Sequence, residues 1–412
     1  VPLLSPEALL EAARTHIAPL GRPAAVVFHG HITALAVARS LGRRGVPVIV
    51  LDHSPDGLAP ASRHVAAAGL CPNVLDDEQG FIDYLLALGE ALGRPAVLYP
   101  TNDEWVLAVN RHRAALECRF LIPFAGEDVV EPVLDKIQLY RTAERLGIPI
   151  PRTWYPGKVD PRTLARQLPY PCIVKPAEQR PFYAAFGAKA WRIESPVAFL
   201  DALERAAGHA LVAQEIVGSG LADFYSACSY VGLDGEAHGS FVGRKLEQYP
   251  PDFGTGCLVA SEGPASIAAQ GIQVLKAFGY HGISEIEFIY DARDGEHKLL
   301  DVNTRVWKWI GLPIAAGVDL PWLAYADATG SPERAGPARE GLVWTHTRDL
   351  IELRLAGLGK ESAHYLPESA WADMLSGTGE QIVDAVIDRD DPGPAARMIE
   401  RLLNPRPYHC AC

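Results

Sequence analysis

The sequence predicts a multidomain chain of α/β and α+β class, with a doubly wound parallel domain preceding a larger antiparallel part. Three observations carry this expectation. The stretch "AAVVFHGHITALAVARSLGRRGVPVIVLD" (24–52) reads strand, loop, helix, strand, the βαβ pattern of a parallel sheet. Two later stretches each contain a pair of β-rich runs around an Asp-Gly turn, at Asp234-Gly235 and Asp294-Gly295, which signals antiparallel hairpins. The chain of 412 residues also exceeds one typical domain.

In chain order, Val26–Phe28 forms the first short β-rich run. Leu35, Ala38 and Leu41 then repeat at helical spacing until Gly45, and "VPVIVLD" returns as a strand. The intervening loop, "FHGHIT", is not GxGxxG, so the dinucleotide fingerprint is absent. A strand at Ala96–Tyr99 leads through "PTNDEW" into a helix, and residues 1–125 are expected to form one unit. "LDKIQLYRTAERLGIPIPRTW" (134–154) reads as a helix that Gly147 stops and Pro149 and Pro151 keep from resuming. "YPCIVKP", "ALVAQEIVG" and the two hairpins fill 126–330, divided at 218/219. Residues 331–412, punctuated by proline, read as a C-terminal helical appendage.

Composition narrows the function. A net charge of −12 argues against general nucleic-acid binding, which needs a basic face. No apolar run approaches the roughly 20 residues of a membrane span, and the opening residues lack the basic start of a signal peptide. Seven scattered cysteines, of which only Cys410 and Cys412 lie close together, suit a reducing, cytoplasmic setting. The terminal CxC reads as an untethered tail.

The informative stretch is "HKLLDVNTRVWKW" (297–309). Residues two apart on a strand share a face, so Asp301 and Asn303 present oxygens to one point. In "EIEFIYD", Glu285 and Glu287 likewise share a face, and turning at Asp294 brings Glu287 opposite Asp301. Like charges across a strand pair are unfavourable, and a divalent cation relieves them. Glu287, Asp301 and Asn303 are oxygen donors with no His or Cys nearby, which favours Mg²⁺ over Zn²⁺, with Mn²⁺ an alternative. Mg²⁺ of this kind takes its other ligands from water and phosphates. Lys136, Lys175, Arg244, Lys245 and Arg305 are cations in suitable contexts to meet those phosphates. No P-loop, HExxH or GxSxG is present.

Across residues 20–330 the chain resembles the ATP-grasp superfamily, specifically its carboxylate–amine ligases. The resemblance rests on the helix-start lysine in "LDKIQLYRTAERLGIPIP", the second lysine in "CIVKP", the hinge "AQEIVGSG", "GRKLEQYPPDFGTG", the metal strands "EIEFIYD" and "LLDVNTR", and "IAAGVDLPWLAY". It implies an ATP-grasp fold and an ADP-forming ligase acting on ATP with Mg²⁺. In that reading Gln214, Glu215, Ile216 and Val217 hold adenine, Asp223 takes the ribose hydroxyls, and Lys136 and Lys175 contact phosphates. Glu287, Asp301 and Asn303 bind the metal, while Arg305, Arg244 and Lys245 stabilise the transferred phosphoryl group and acyl phosphate.

The sequence departs from the family pattern at "DVNTR", where Glu-Ile-Asn-Pro-Arg is common; Asp is one methylene shorter. "PAEQRPFYAAFGAKAWRI" stands where the family has a phosphate-covering loop, with Gly187 for flexibility and Arg180 and Lys189 for charge; a helical insert is the alternative. For the small-molecule carboxylate and amine, His29, His31, Asn102 and Asp103 lie at the carboxyl ends of parallel strands, the usual ligand position. Asn102 or Asp103 equally suits a helix N-cap. Gly254 and Gly256 allow close backbone approach, and Trp307 and Trp309 could shape the acyl site. A homodimer is compatible with this reading. A small-molecule kinase and a non-catalytic ATP-binding protein are the competing functions.

Overall fold

The structure is a computed structural model and describes residues 1–218, 220–251, 253–358, 367–376 and 380–404. Cys410 and Cys412 lie outside the described residues.

The first unit is a six-stranded, wholly parallel sheet in the order Leu3–Leu4, Ala67–Leu70, Val48–Asp52, Ala25–Phe28, Ala96–Tyr99, Phe120–Leu121. Its central strands are buried throughout, as parallel strands covered on both faces must be. The chain runs to one side from Ala25–Phe28 and returns to place Ala96–Tyr99 on the other. This reversal opens a crevice at the carboxyl ends of those two strands.

Two further sheets follow, antiparallel except for one edge pair of the larger. The smaller has four strands, ordered Thr153–Trp154, Leu211–Glu215, Cys172–Pro176, Trp191–Ile193. It carries its own core, built around Leu164, Phe182 and Phe199. The larger has seven strands, ordered Glu296–Asn303, Gly282–Asp291, Phe224–Val231, Ala237–Tyr249, Thr255–Ala260, Val343–Thr345, Ile382–Asp384. Its residues share cores with the parallel sheet: Phe28 and Val26 cluster with Ile286 and Phe288, and Val27 and Tyr99 with Tyr230 and Phe241. Burying each such side chain contributes about 1.5–3 kcal/mol, so these two sheets are fused while the small one packs by itself.

The segment after 330 does more than append helices. "VWT" (343–345) and "IVD" (382–384) are short β-branched runs that extend the seven-stranded sheet, pairing in parallel with each other. Among the described residues, no helix is long and apolar enough to cross a membrane.

Candidate active site

A cleft of about 2890 Å³ runs between the small sheet, the large sheet and the carboxyl ends of the parallel strands. Strand alternation decides which side chains reach it. On Cys172–Pro176, Cys172 and Val174 face the small core while Ile173 and Lys175 line the cleft. On Gly282–Asp291, Ile286 and Phe288 face the core while Glu285 and Glu287 face the cleft.

The antiparallel register sets Glu287 opposite Asp301 and Glu285 opposite Asn303. Four oxygen-bearing side chains therefore share one patch of cleft floor. Asn303 Nδ2 donates to Glu285 Oε2 at 3.1 Å, which leaves its Oδ1 as the atom it can offer a cation. Ser226 Oγ donates to Glu285 Oε1 at 3.0 Å. Burial, and then the Glu287 charge, push the Glu285 carboxyl up. Glu285 had the same alternation signal as Glu287 but does not figure in the metal set read from sequence.

Cations converge on this patch. Lys136 opens the helix Lys136–Leu146, whose N-cap Asp135 accepts the Gln138 amide at 2.9 Å and whose C-terminus closes at Gly147 with φ of 69°. A lysine at a helix start opposes the dipole; here its ammonium donates to Asp301 Oδ1 at 2.7 Å. Burial alone would raise Asp301, but Lys136, Lys175 and the Val302 amide together outweigh it and hold the carboxyl below its ordinary range. Lys175 Nζ donates to the Tyr140 hydroxyl at 2.6 Å, and that hydroxyl donates to the Leu300 carbonyl at 2.6 Å. Burial and the neighbouring Lys136 push Lys175 down to about 7, against the pull of Asp301 and Glu287. Lys245 Nζ is 4.0 Å from Glu287. Arg305 Nε donates to Asp103 Oδ1 at 2.7 Å, tying the segment after strand Glu296–Asn303 to the parallel domain.

The hinge residues Gln214, Glu215, Ile216 and Val217 all line the cleft. Gln214 Nε2 donates to Thr153 Oγ1 at 2.9 Å. The Glu215 carboxylate takes Arg152 and Arg293 at 3.2 and 3.1 Å, so its side chain is engaged with two arginines. His29, His31, Asn102, Asp103, Gly254 and Gly256 also line the cleft. Asn102 is the N-cap residue of Asp103–Arg111 by backbone, yet its side chain makes no cap bond, and among the described residues its buried Oδ1 has no hydrogen-bond partner.

Two residues expected here are not brought into the cleft wall. Arg244 alternates with Lys245 on Ala237–Tyr249, so it points to the other face and donates to Glu262 at 2.9 Å. Asp223 ends the turn Leu221–Asp223 beside the cleft without lining it. The loop after Lys175 is largely helix, Gln179–Phe186, packed through Phe182; its Arg180 pairs with Glu104 across the cleft mouth, and Lys189 lines the cleft. Trp307 and Trp309 are buried against each other, ring centroids 5.2 Å apart, with edges reaching the cleft.

Sequence reading missed the contribution of the C-terminal segment. Lys308 Nζ donates to Asp349 Oδ2 at 2.5 Å, His346 Nδ1 is 2.8 Å from the same oxygen, and all three line the cleft. Partners 41 residues apart leave no local pattern to read.

No family model matches the chain. It is 23% identical over 251 residues to the D-aspartate ligase of Enterococcus faecium (strain Aus0004), covering 56% of this chain. The match spans 59% of that relative's length. Among solved structures it resembles the N5-carboxyaminoimidazole synthetase of Staphylococcus aureus complexed with ADP, with a TM-score of 0.61, 16% identity, and coverage of 81% and 85% of the two chains. It also resembles the L-amino acid ligase of Bacillus licheniformis, with a TM-score of 0.58, 15% identity, and coverage of 76% and 75%.

Proposed function

We propose that this chain, which has the ATP-grasp fold, is an ATP-dependent ligase that joins a carboxylate to an amine through an acyl phosphate. The observation that carries the reading is the cleft floor itself: Glu287 opposite Asp301, next to Glu285 and Asn303, ringed by Lys136, Lys175, Lys245 and Arg305. Clustered carboxylates facing clustered cations are costly alone, and Mg²⁺ with a polyphosphate neutralises both sets.

The donor set fits Mg²⁺: oxygens only, from Glu287, Asp301 and Asn303, with Glu285 bonded behind them. When bound, the ion supplies charge neutralisation to the phosphates. Lys136 and Lys175 bind the phosphate chain, and the hinge Gln214–Val217 holds the base through main-chain groups. A substrate carboxylate oxygen attacks the γ-phosphorus of ATP, and the bond to the β–γ bridging oxygen breaks to release ADP. Arg305, fixed by Asp103, and Lys245 hold the acyl phosphate. The amine nitrogen then attacks the acyl carbon, the carbon–oxygen bond breaks, phosphate leaves, and the nitrogen gives up its proton.

The name of the D-aspartate ligase relative supports an amino-acid carboxylate as the first substrate to try. Hydroxylamine tests the intermediate: with Mg·ATP and the correct acid it traps an acyl phosphate as a hydroxamate. Hydroxamate that requires both ATP and the acid supports the ligase. ADP formation with a stable phosphorylated hydroxyl product instead of hydroxamate supports a kinase.

A further inference from the structure

One cluster on the cleft wall takes no part in this chemistry. His29 follows the parallel strand Ala25–Phe28, Asp52 ends the strand Val48–Asp52, and His53 comes directly after it. One donor atom from each of His29, Asp52 and His53 lies within 4.8 Å of the other two. His29 Nδ1 and His53 Nδ1 are each 3.6 Å from Asp52 Oδ1. That is long for a hydrogen bond. It is near the roughly 3.3 Å between neighbouring ligands of a tetrahedral ion with bonds of about 2.0–2.1 Å.

We propose that His29, Asp52 and His53 form a three-ligand site for a divalent transition-metal ion, Zn²⁺ by donor set, with its open position toward the substrate cleft. His29 is the first reason. It is 5% exposed, and among the described residues neither ring nitrogen has a hydrogen-bond partner, a state buried polar groups rarely keep. Asp52 is the second. Gly30 N donates to its Oδ2 at 2.7 Å and Ser54 N to its Oδ1 at 3.0 Å, the outer bonds that orient a ligating carboxylate. The third is the arrangement of the rings: His53 stacks on His29 with centroids 5.6 Å apart and planes 13° apart, which keeps both edges toward Asp52.

Two features hold the geometry. His29 has a left-handed backbone, φ of 63°, which turns its ring inward from the strand end. The helix Gly393–Leu403 braces the loop that carries His53, through Arg397 donating to the carbonyls of Pro55 at 2.8 Å and Gly57 at 3.2 Å. Nitrogen donors distinguish this site from the all-oxygen patch at Glu287 and Asp301. Three protein ligands and a free position are the arrangement of sites that bind a substrate atom, not of closed structural ones. The site stands independently of the ligase reading.

The test uses the full chain carrying Cys410→Ser and Cys412→Ser, so that terminal thiols do not compete. Calorimetric titration with Zn²⁺, and visible absorption with Co²⁺, are compared for this protein and for His53→Gln and Glu287→Gln in the same background. His53 is the first choice because its side chain is 35% exposed, and its replacement leaves the core intact. The expected result is one Zn²⁺ per chain and a tetrahedral Co²⁺ spectrum. His53→Gln weakens binding by at least about 10-fold, since even outer-shell losses cost that much; Glu287→Gln leaves it unchanged. No stoichiometric binding, binding untouched by His53→Gln, or binding lost in Glu287→Gln overturns the proposal.

Discussion

Glu287 stands directly opposite Asp301 in the antiparallel strand pair that floors the cleft, and Lys136 bonds the Asp301 carboxylate at 2.7 Å. In the proposed reaction this pair is the point at which a metal–phosphate complex would relieve the like-charge repulsion. Glu287→Gln removes one charge from that point. ADP formation should fall on the order of 100-fold or more, as with loss of a single preorganised electrostatic contact. The thermal midpoint should hold or rise, because the like-charge repulsion with Glu285 and Asp301 is relieved. Steady-state kinetics alongside a melting curve check both parts.

Lys175 offers a second prediction. Its ammonium is held in the cleft by Tyr140 and pushed down to about 7 by burial and Lys136, so its presence costs stability. Lys175→Met should therefore leave stability unchanged or higher while weakening ATP binding about 10-fold or more. Nucleotide titration and urea unfolding of the same variant separate the two effects.

Neighbours on one strand give a sharper contrast. Lys245 faces Glu287 in the cleft, whereas Arg244 faces Glu262 on the other side. Lys245→Ala should reduce turnover by about 10-fold or more, and Arg244→Ala should stay within a few-fold of the parent. Equal losses in the two variants would contradict the alternation assigned to this strand.

Gly254 is set by close approach. A Cβ there would lie 1.9 Å from the Pro250 carbonyl oxygen, which is main chain and must move to make room. Gly254→Ala should cost about 1–3 kcal/mol of stability and raise the KM for a cleft substrate. Gly147→Ala tests a different cause, since open space surrounds that position and only the φ of 69° resists; its cost should be smaller.

Asp349 links stability to pH. Burial alone would raise its carboxyl, but His346 and Lys308 outweigh this and bring it to about 2. A depressed carboxyl contributes stability above its unfolded value near 3.9 and loses it as pH falls toward the folded one. The contribution is about 2 kcal/mol at neutral pH and should fall by about half between pH 5 and pH 3. The difference in urea midpoints between the parent and Asp349→Asn should narrow over that interval.

Much of this architecture was legible because period and punctuation act locally. The Asp-Gly turns set hairpins whose period of two fixed which face each residue takes, and the expected register of Glu287 against Asp301 is the one observed. The helix from Lys136 ends at Gly147, where its left-handed φ stops it. What escaped was non-local or depended on phase. Arg244 and Lys245 are adjacent in sequence, and only the bulged pairing with Thr255–Ala260 and the neighbouring strands decides which one faces the cleft. The strands 343–345 and 382–384 are three residues each, too short to stand out from their prolines, and their sheet exists only once the chain has folded back. Lys308 with Asp349, and Arg180 with Glu104, are tertiary pairs with no sequence spacing to betray them.

The most direct test of the ligase reading is ADP release with Mg·ATP over amino acids and small carboxylates, alone and in pairs, beginning with aspartate, with Glu287→Gln measured beside the parent. A ligase forms ADP only with a carboxylate–amine pair, gives an amide by mass, and loses both in the variant. ADP formed with a single hydroxyl acceptor, yielding a stable phosphorylated product and no amide, would contradict it.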